Sequence, residues 1–175
     1  MQKIIAPYDP QWRQTFEAEA TQVRRLLSPA ALRIHHIGST AIPAIYAKPV
    51  IDILIEASDL AGVDACAPRM ASAHYDVRGE YGIAGRRYFS KPASGAATTG
   101  FHVHVYEQGS PQIFRHLAFR DYLLERPDVA AAYSHLKQSM ADASGVLPAD
   151  YVARKERFVV ATQAAALDHF SVKRL

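Results

Sequence analysis

Cysteine is almost absent. Cys66 is the only one in 175 residues, so no disulfide can form within the chain. Its surroundings, "VDACAPRM", have none of the spacings of metal fingers or redox dithiols. A reducing interior, the cytoplasm, is the expected compartment. No apolar run is long enough to cross a bilayer, and no membrane partner is expected. The opening "MQKIIAPYDP" turns polar after two isoleucines, too soon for a secretion signal. One-signed charge is scarce as well: the formal charge is +3, with 14 arginines and 6 lysines scattered and no polybasic run. That pattern argues against a nucleic-acid surface and suits a small anionic substrate better. No repeat, low-complexity block or long linker divides the chain, so one domain over 1–175 is expected. Apolar residues, at 49%, suffice to close its core without staples.

What is present reads as alternating helices and strands. In "YDPQWRQTFEAEATQVRRLLSPA", Asp9 is placed as helix cap and Pro10 at the first helical position. Trp12, Phe16, Val23 and Leu27 recur near one face of that helix. "LRIHHIG" is a short strand, and "PVIDILIEA" a nearly continuous apolar one, hence central and covered on both faces. "LAGVDACAPRMASA" is a helix interrupted near Pro68. Three strand-like runs follow, "YDVRGEYG", "RRYFSKP" and "GFHVHVYE", with "ASGAATTG" as a mobile hairpin loop between the last two. The remainder is helical: "SPQIFRHLAFRDYLLE", capped by Ser110 with Pro111 in its first turn, then "PDVAAAYSHLKQSMADA" and "ADYVARKERFVVATQAAALDHF". Helix, mixed strands and a helical C-terminal third point to an α+β fold.

Several residues could carry chemistry. Gly38-Ser39-Thr40 follows a strand; glycine lets backbone approach a ligand, and free N–H groups and hydroxyls there favour an anion. Lys48 lies within reach as a compact positive charge. An ordinary turn explains the same residues. Asp52 interrupts an apolar strand, where a carboxylate is costly unless paired or bound to a metal. A structural salt bridge to Lys48, Arg86 or Arg87 is the plainer alternative. His102 and His104 share one face of their strand and could grip one metal ion, or stand as two half-exposed histidines. His35 and His36 cannot both face one site, and His116 and His135 read as structural residues on helix surfaces. Arg86 and Arg87, after a flexible turn, suit phosphate contact or a solvated hairpin. Arg115, Arg120 and Asp121 read as helix-surface ion pairs.

The order "HIGSTAIPAIYAKPVIDILI", "GEYGIAGRRYFSK", "FHVHVYEQGS", "RHLAFRDYLLERPDVAAAYSHLK" and "DYVARKERFV" resembles the GrpB family, also labelled UPF0157, over almost the whole chain. The resemblance implies a minimal nucleotidyltransferase-like fold: a mixed β-sheet with flanking helices and a helical C-terminal third. It also implies that relatives occur fused to dephospho-coenzyme A kinase. It brings no established reaction. Carried over from the wider superfamily, Gly38 and Ser39 match the phosphate-holding turn and Asp52 the first metal carboxylate. Leu54 stands where a second carboxylate is expected, and histidines stand where the third would be. Because Mg²⁺ prefers oxygen ligands, Asp52, His102 and His104 would instead suit Zn²⁺, Mn²⁺ or Fe²⁺.

The expected function is a metal-dependent nucleotidyltransferase-like enzyme acting on a nucleotide or another phosphorylated small molecule. Asp52 would be the catalytic residue, with Gly38, Ser39, Thr40, Lys48, Arg86 and Arg87 on phosphate. The divalent cofactor would be Mn²⁺, Zn²⁺ or Mg²⁺. Two alternatives stay open: a nucleotide- or coenzyme-binding regulatory module without turnover, and a metal-binding structural domain.

Overall fold

The computed structural model describes residues 4–94 and 98–172. Helix α1 spans Gln11–Leu26. Pro10 is its cap position, one residue later than expected, yet the Asp9 carboxylate still accepts the Gln11 N–H at 2.9 Å. Strand β1 (Ala31–Ile37) and strand β2 (Val50–Ala57) follow, then helices α2 (Leu60–Ala65) and α3 (Ala67–Ser72). The break between these two falls at Cys66, beside the expected Pro68. "YDVRGEYG" supplies only the two-residue strand β3, Asp76–Val77. Its four residues after Arg78 enter a turn in which Gly79, Tyr81 and Gly82 all take positive φ, which no strand tolerates. Strands β4 (Arg86–Lys91) and β5 (Gly100–Glu107) close the sheet. The expected mobile loop between them falls partly on residues 95–97, which lie outside the described residues. Helices α4 (Pro111–Glu125), α5 (Pro127–Met140) and α6 (Tyr151–Val172) complete the chain. Ser110 caps α4 as expected, its hydroxyl accepting the Gln112 N–H.

The sheet order is β1-β2-β5-β4-β3. Only β2 and β5 run parallel; the other neighbours are antiparallel. The fold is therefore α+β around a five-stranded mixed sheet. The period of two along β2 decides the rest. Ile51, Ile53 and Ile55 are fully buried against Val23 and Leu27 at the end of α1, with Val103, Val105, Val63 and Met70. Each such side chain contributes about 1.5–3 kcal/mol on burial. Asp52, Leu54 and Glu56 face the opposite layer, where Leu54 packs with Ile37, Tyr106 and Ile113 of α4. On α1, Trp12, Glu19 and Val23 are buried together. Glu19 is neutralised there by Lys91 and accepts the Tyr75 hydroxyl at 2.6 Å.

Helices α4, α5 and α6 form the second layer. Tyr133 of α5 stacks on Phe158 of α6, centroids 5.0 Å apart, and both pack with Ile42 and Ile45 from the segment between β1 and β2. This fixes one face of α5 and of α6 over the start of β2. No helix among the described residues is long and apolar enough to cross a membrane.

Leu54 marks a limit on how the sheet can be altered. It has no solvent exposure and packs with Ile37, Tyr106 and Ile113, with His35 and His104 opposite it in the register. Leu54→Asp, which restores the carboxylate pattern of the wider superfamily, should lower stability by at least about 2 kcal/mol in urea denaturation. An unchanged midpoint would mean that the position accepts a second carboxylate.

Candidate functional site

The site begins with a carboxylate that the backbone must step around. Asp52 opposes Ile37 on β1 and His102 on β5, so it sits where the chain leaves β1. The next residue is Gly38, at φ +72°, and a Cβ placed there would lie 3.0 Å from Asp52 Cβ and Cγ and nearer still to Oδ2. Only glycine fits beside this carboxylate. Past Gly38, Ser39–Ala41 makes a single 3-10 turn. Thr40 is buried, shares a 3.0 Å hydrogen bond with His36 Nε2 and donates to the Val50 carbonyl. Thr40 thus ties β1 to β2 rather than presenting its hydroxyl to a ligand. Burial lowers the His36 pKa to about 4, so the ring is neutral at pH 7.

Both strand histidines turn to Asp52. His102 Nδ1 donates to Oδ1 at 3.2 Å, and His104 Nε2 lies 3.7 Å from the same oxygen. Burial pushes the Asp52 carboxyl up, but the hydrogen bonds and charges of His102 and His104 outweigh it and hold the group well below the usual carboxylate range. The partners that the structure shows for Asp52 are therefore imidazoles, where the plainer expectation was a salt bridge to Lys48, Arg86 or Arg87. Among the described residues, no three His, Cys, Asp or Glu side chains are placed to hold a metal ion together. The cluster is held by the His102–Asp52 hydrogen bond, with His104 close to the same oxygen. His104 Nδ1 is buried with no hydrogen-bond partner among the described residues. Its ring lies 5.6 Å from that of His116, whose pKa burial, with help from His104 and Arg115, lowers to about 3. His116 is therefore beside the site and not on the helix surface.

Next to Asp52 is a cavity of about 170 Å³ lined by Ser39, Thr40, Lys48, Lys137, Tyr151 and Lys155, with Asp52 and His102 at its wall. Lys137 is 1% exposed, and its Nζ donates to Ser39 Oγ at 3.0 Å from 98 residues away in sequence. The Tyr133 ring lies 4.3 Å from that ammonium, and the Tyr151 ring 4.5 Å from the Lys48 ammonium. Burial, with repulsion from Lys155, lowers the Lys137 pKa to about 7. Burial also lowers the pKa of Lys155, with Asp52 opposing.

The two arginines part company. Arg86, Tyr88 and Ser90 oppose Tyr106, His104 and His102, which puts them on the Asp52 face, and Arg87 on the other. Arg86 is buried and spends its guanidinium on the carbonyls of Glu80 and Tyr81. Arg87 forms a two-pronged pair with Asp64 of α2, 2.5 and 2.8 Å. Neither arginine lines the lysine cavity. Arg120 donates to the His36 carbonyl as well as to Asp121, which anchors α4 to β1.

The sequence reading missed Lys137 and Lys155. A signal existed: Ala130, Tyr133, Ser134 and Lys137 form the buried stripe of α5, so a lysine occupies a core position. On α6, Lys155 stands one turn after buried Tyr151 on the same face.

The family described as GrpB protein matches residues 3–164. The UPF0157 protein YqkA of Bacillus subtilis is 44% identical over 137 residues, covering 78% of this chain but only 39% of that protein. A dephospho-CoA kinase of Mycolicibacterium paratuberculosis is 30% identical over 178 residues, covering 87% of this chain and 43% of the kinase. Among solved structures, the conserved protein GrpB from Enterococcus faecalis superimposes with a TM-score of 0.86 at 35% identity, over 95% of this chain and 99% of that one.

Two outcomes test the geometry. Gly38→Ala should destabilise by about 1–3 kcal/mol, from strained backbone plus the clash with Asp52. The loss should be smaller when Asp52 is already alanine, measured as a double-mutant cycle in urea. Lys137 gives a pH signature. Its folded pKa, about 7, lies below the ordinary 10.5, so the unfolded chain binds more protons between those values and stability rises with pH across that window. Lys137→Met lacks this rise. Its stability advantage over wild type, full below pH 7, should shrink toward pH 10; a constant gap would place the lysine in water.

Proposed function

The chain belongs to the GrpB family, and from that premise we propose that it binds a nucleotide or another phosphorylated small molecule and acts on it as a metal-dependent, nucleotidyltransferase-like enzyme. One observation carries the reading. Three lysines, Lys48, Lys137 and Lys155, gather around the Gly38-Ser39 turn with one of them almost wholly buried. A buried ammonium costs several kcal/mol unless an anion accompanies it, and among the described residues the one carboxylate lining this cavity, Asp52, already faces two histidines. A phosphate in the cavity would accept from the lysines, beside the Ser39 hydroxyl that accepts from Lys137.

Asp52, His102 and His104 are not placed to hold a divalent ion together as they stand, and would have to rearrange to do so. One carboxylate oxygen and two imidazole nitrogens suit Mn²⁺ or Zn²⁺ better than Mg²⁺. To take the ion, His102 must give up its hydrogen bond to Asp52. When bound, the metal would supply charge neutralisation at a phosphoryl oxygen. Gly38 then serves by bringing the Ser39 backbone and hydroxyl close to that carboxylate. Arg86 and Arg87 have no phosphate role in this reading, since neither lines the cavity.

A second reading rests on Leu54, whose burial in an apolar cluster leaves one acidic residue where the wider superfamily pairs two. In it, the pocket binds a nucleotide or coenzyme precursor and regulates a partner without turnover. The dephospho-CoA kinase that shares a segment like this chain makes coenzyme A precursors natural probes.

The experiment is a thermal-shift and turnover panel of nucleotides and coenzyme A precursors, each with Mg²⁺, Mn²⁺ or Zn²⁺. Wild type should be stabilised by a binding ligand, by about 2.7 kcal/mol at a hundred times its Kd. Lys137→Met should lose the shift, and Asp52→Ala should keep most of it while losing turnover. Binding without turnover in wild type favours the second reading. No ligand effect on wild type, or one that persists in Lys137→Met, removes both.

A further inference from the structure

The lysine cavity is too small to be the whole of a ligand site, and it does not stand alone. Beside it opens a cavity of about 590 Å³ that shares Lys48, Val50 and His102 with it. The two adjoin at the start of β2 and β5. The larger part has the size and character of a small-molecule pocket: mainly apolar walls with a few convergent polar groups. Pro49, Pro92, Ala93 and the Phe101 ring make the apolar side.

Its polar edge is built. Arg78 Nη2 donates to Asp76 Oδ2 at 3.0 Å, and Arg78 Nε donates to Ser90 Oγ at 3.1 Å. These contacts hold the guanidinium and the carboxylate side by side at the rim. Two of the five guanidinium N–H donors are spent there, and among the described residues Asp76 Oδ1 accepts no hydrogen bond. A donor thus stands next to an acceptor at the exposed rim. That pairing matches the edge of a heterocyclic base, which offers an acceptor beside an N–H donor. Of the two lysines on this wall, Lys91 is paired with Glu19 and Lys48 stands at the junction with the lysine cavity, so the positive charge gathers at that end and the apolar end is left for a flat ring.

We propose that the ligand of these adjoining cavities is a nucleotide whose phosphates lie in the lysine cavity and whose base enters the cavity between Pro92 and Phe101, with its edge read by Arg78 and Asp76. This rests on the phosphate reading above and adds the substrate class. Ser90, opposite His102 in the strand register, joins the two halves: it holds Arg78 at the base end while its neighbour lines the phosphate end.

The test is calorimetric titration of the full chain, in chelator, with inorganic tripolyphosphate and with ATP, CTP, GTP and UTP separately. Wild type, Ala93→Trp and Arg78→Ala are compared. At least one nucleoside triphosphate should bind wild type roughly tenfold more tightly than tripolyphosphate. Ala93→Trp, which fills the cavity, should erase that advantage while tripolyphosphate affinity stays within about twofold. Arg78 is partly exposed, so Arg78→Ala should fold whatever becomes of the tryptophan variant, and it should level the preferences among the four bases. Nucleotides binding no more tightly than tripolyphosphate, or binding both variants as they bind wild type, would overturn the base cavity and leave the phosphate reading standing. If neither class of ligand binds wild type, the phosphate reading falls and this inference falls with it.

Discussion

An ionised carboxylate at the mouth of a mostly apolar strand sets the terms for everything around it. Asp52 needs partners, and β5 supplies them at the spacing that a parallel neighbour allows, His102 directly opposite and His104 one pleat on. It also needs space, which removes any side chain from residue 38 and opens the backbone into the turn that carries Ser39. The same carboxylate thereby forces the glycine, orients the histidines and positions the hydroxyl. The strand holding it can bear the cost because its other face, Ile51, Ile53 and Ile55, is buried without remainder.

The helical layer answers with charge of the opposite sign. Lys137 and Lys155 come from α5 and α6, which are held over the sheet by the stacked Tyr133 and Phe158. Burial lowers both pKa values, and for Lys137 the neighbouring Lys155 adds repulsion. Folding tolerates the penalty because α5 and α6 gain far more from their apolar contacts with Ile42, Ile45 and Leu123. What remains is a pocket whose described lining holds three lysines and one carboxylate, the composition that the proposed anion would complement.

The sheet side of this arrangement was legible in the sequence and the helical side was not. Strand periodicity is local: two histidines two residues apart must share a face, and an aspartate within an apolar run must be exceptional. The Gly-Ser-Thr turn needed the family resemblance, since three small residues are too common to mark a site. Arg86 and Arg87 show where local reasoning ends. Adjacent strand residues must face opposite sides, but which of them faces Asp52 depends on the pairing with β5, a contact that no periodicity encodes. The cap of α1 slipped by one residue for a smaller reason, because Asp9 does its capping through the Gln11 N–H from just outside the helix. Lys137 was hidden by distance along the chain, although its place in the stripe of α5 marked it as buried.

The central claim is that an anion sits against Ser39 and Lys137. Carbon-13 NMR of the Lys137 side chain reads it directly, as a titration from pH 5 to pH 10 with and without sulfate, which keeps its charge across that range. Bound anion favours the charged ammonium, so the account predicts that sulfate moves the Lys137 pKa upward from about 7 and shifts the Ser39 amide in the same samples. A Lys137 titration identical in the two series, with Ser39 undisturbed at saturating sulfate, would contradict it.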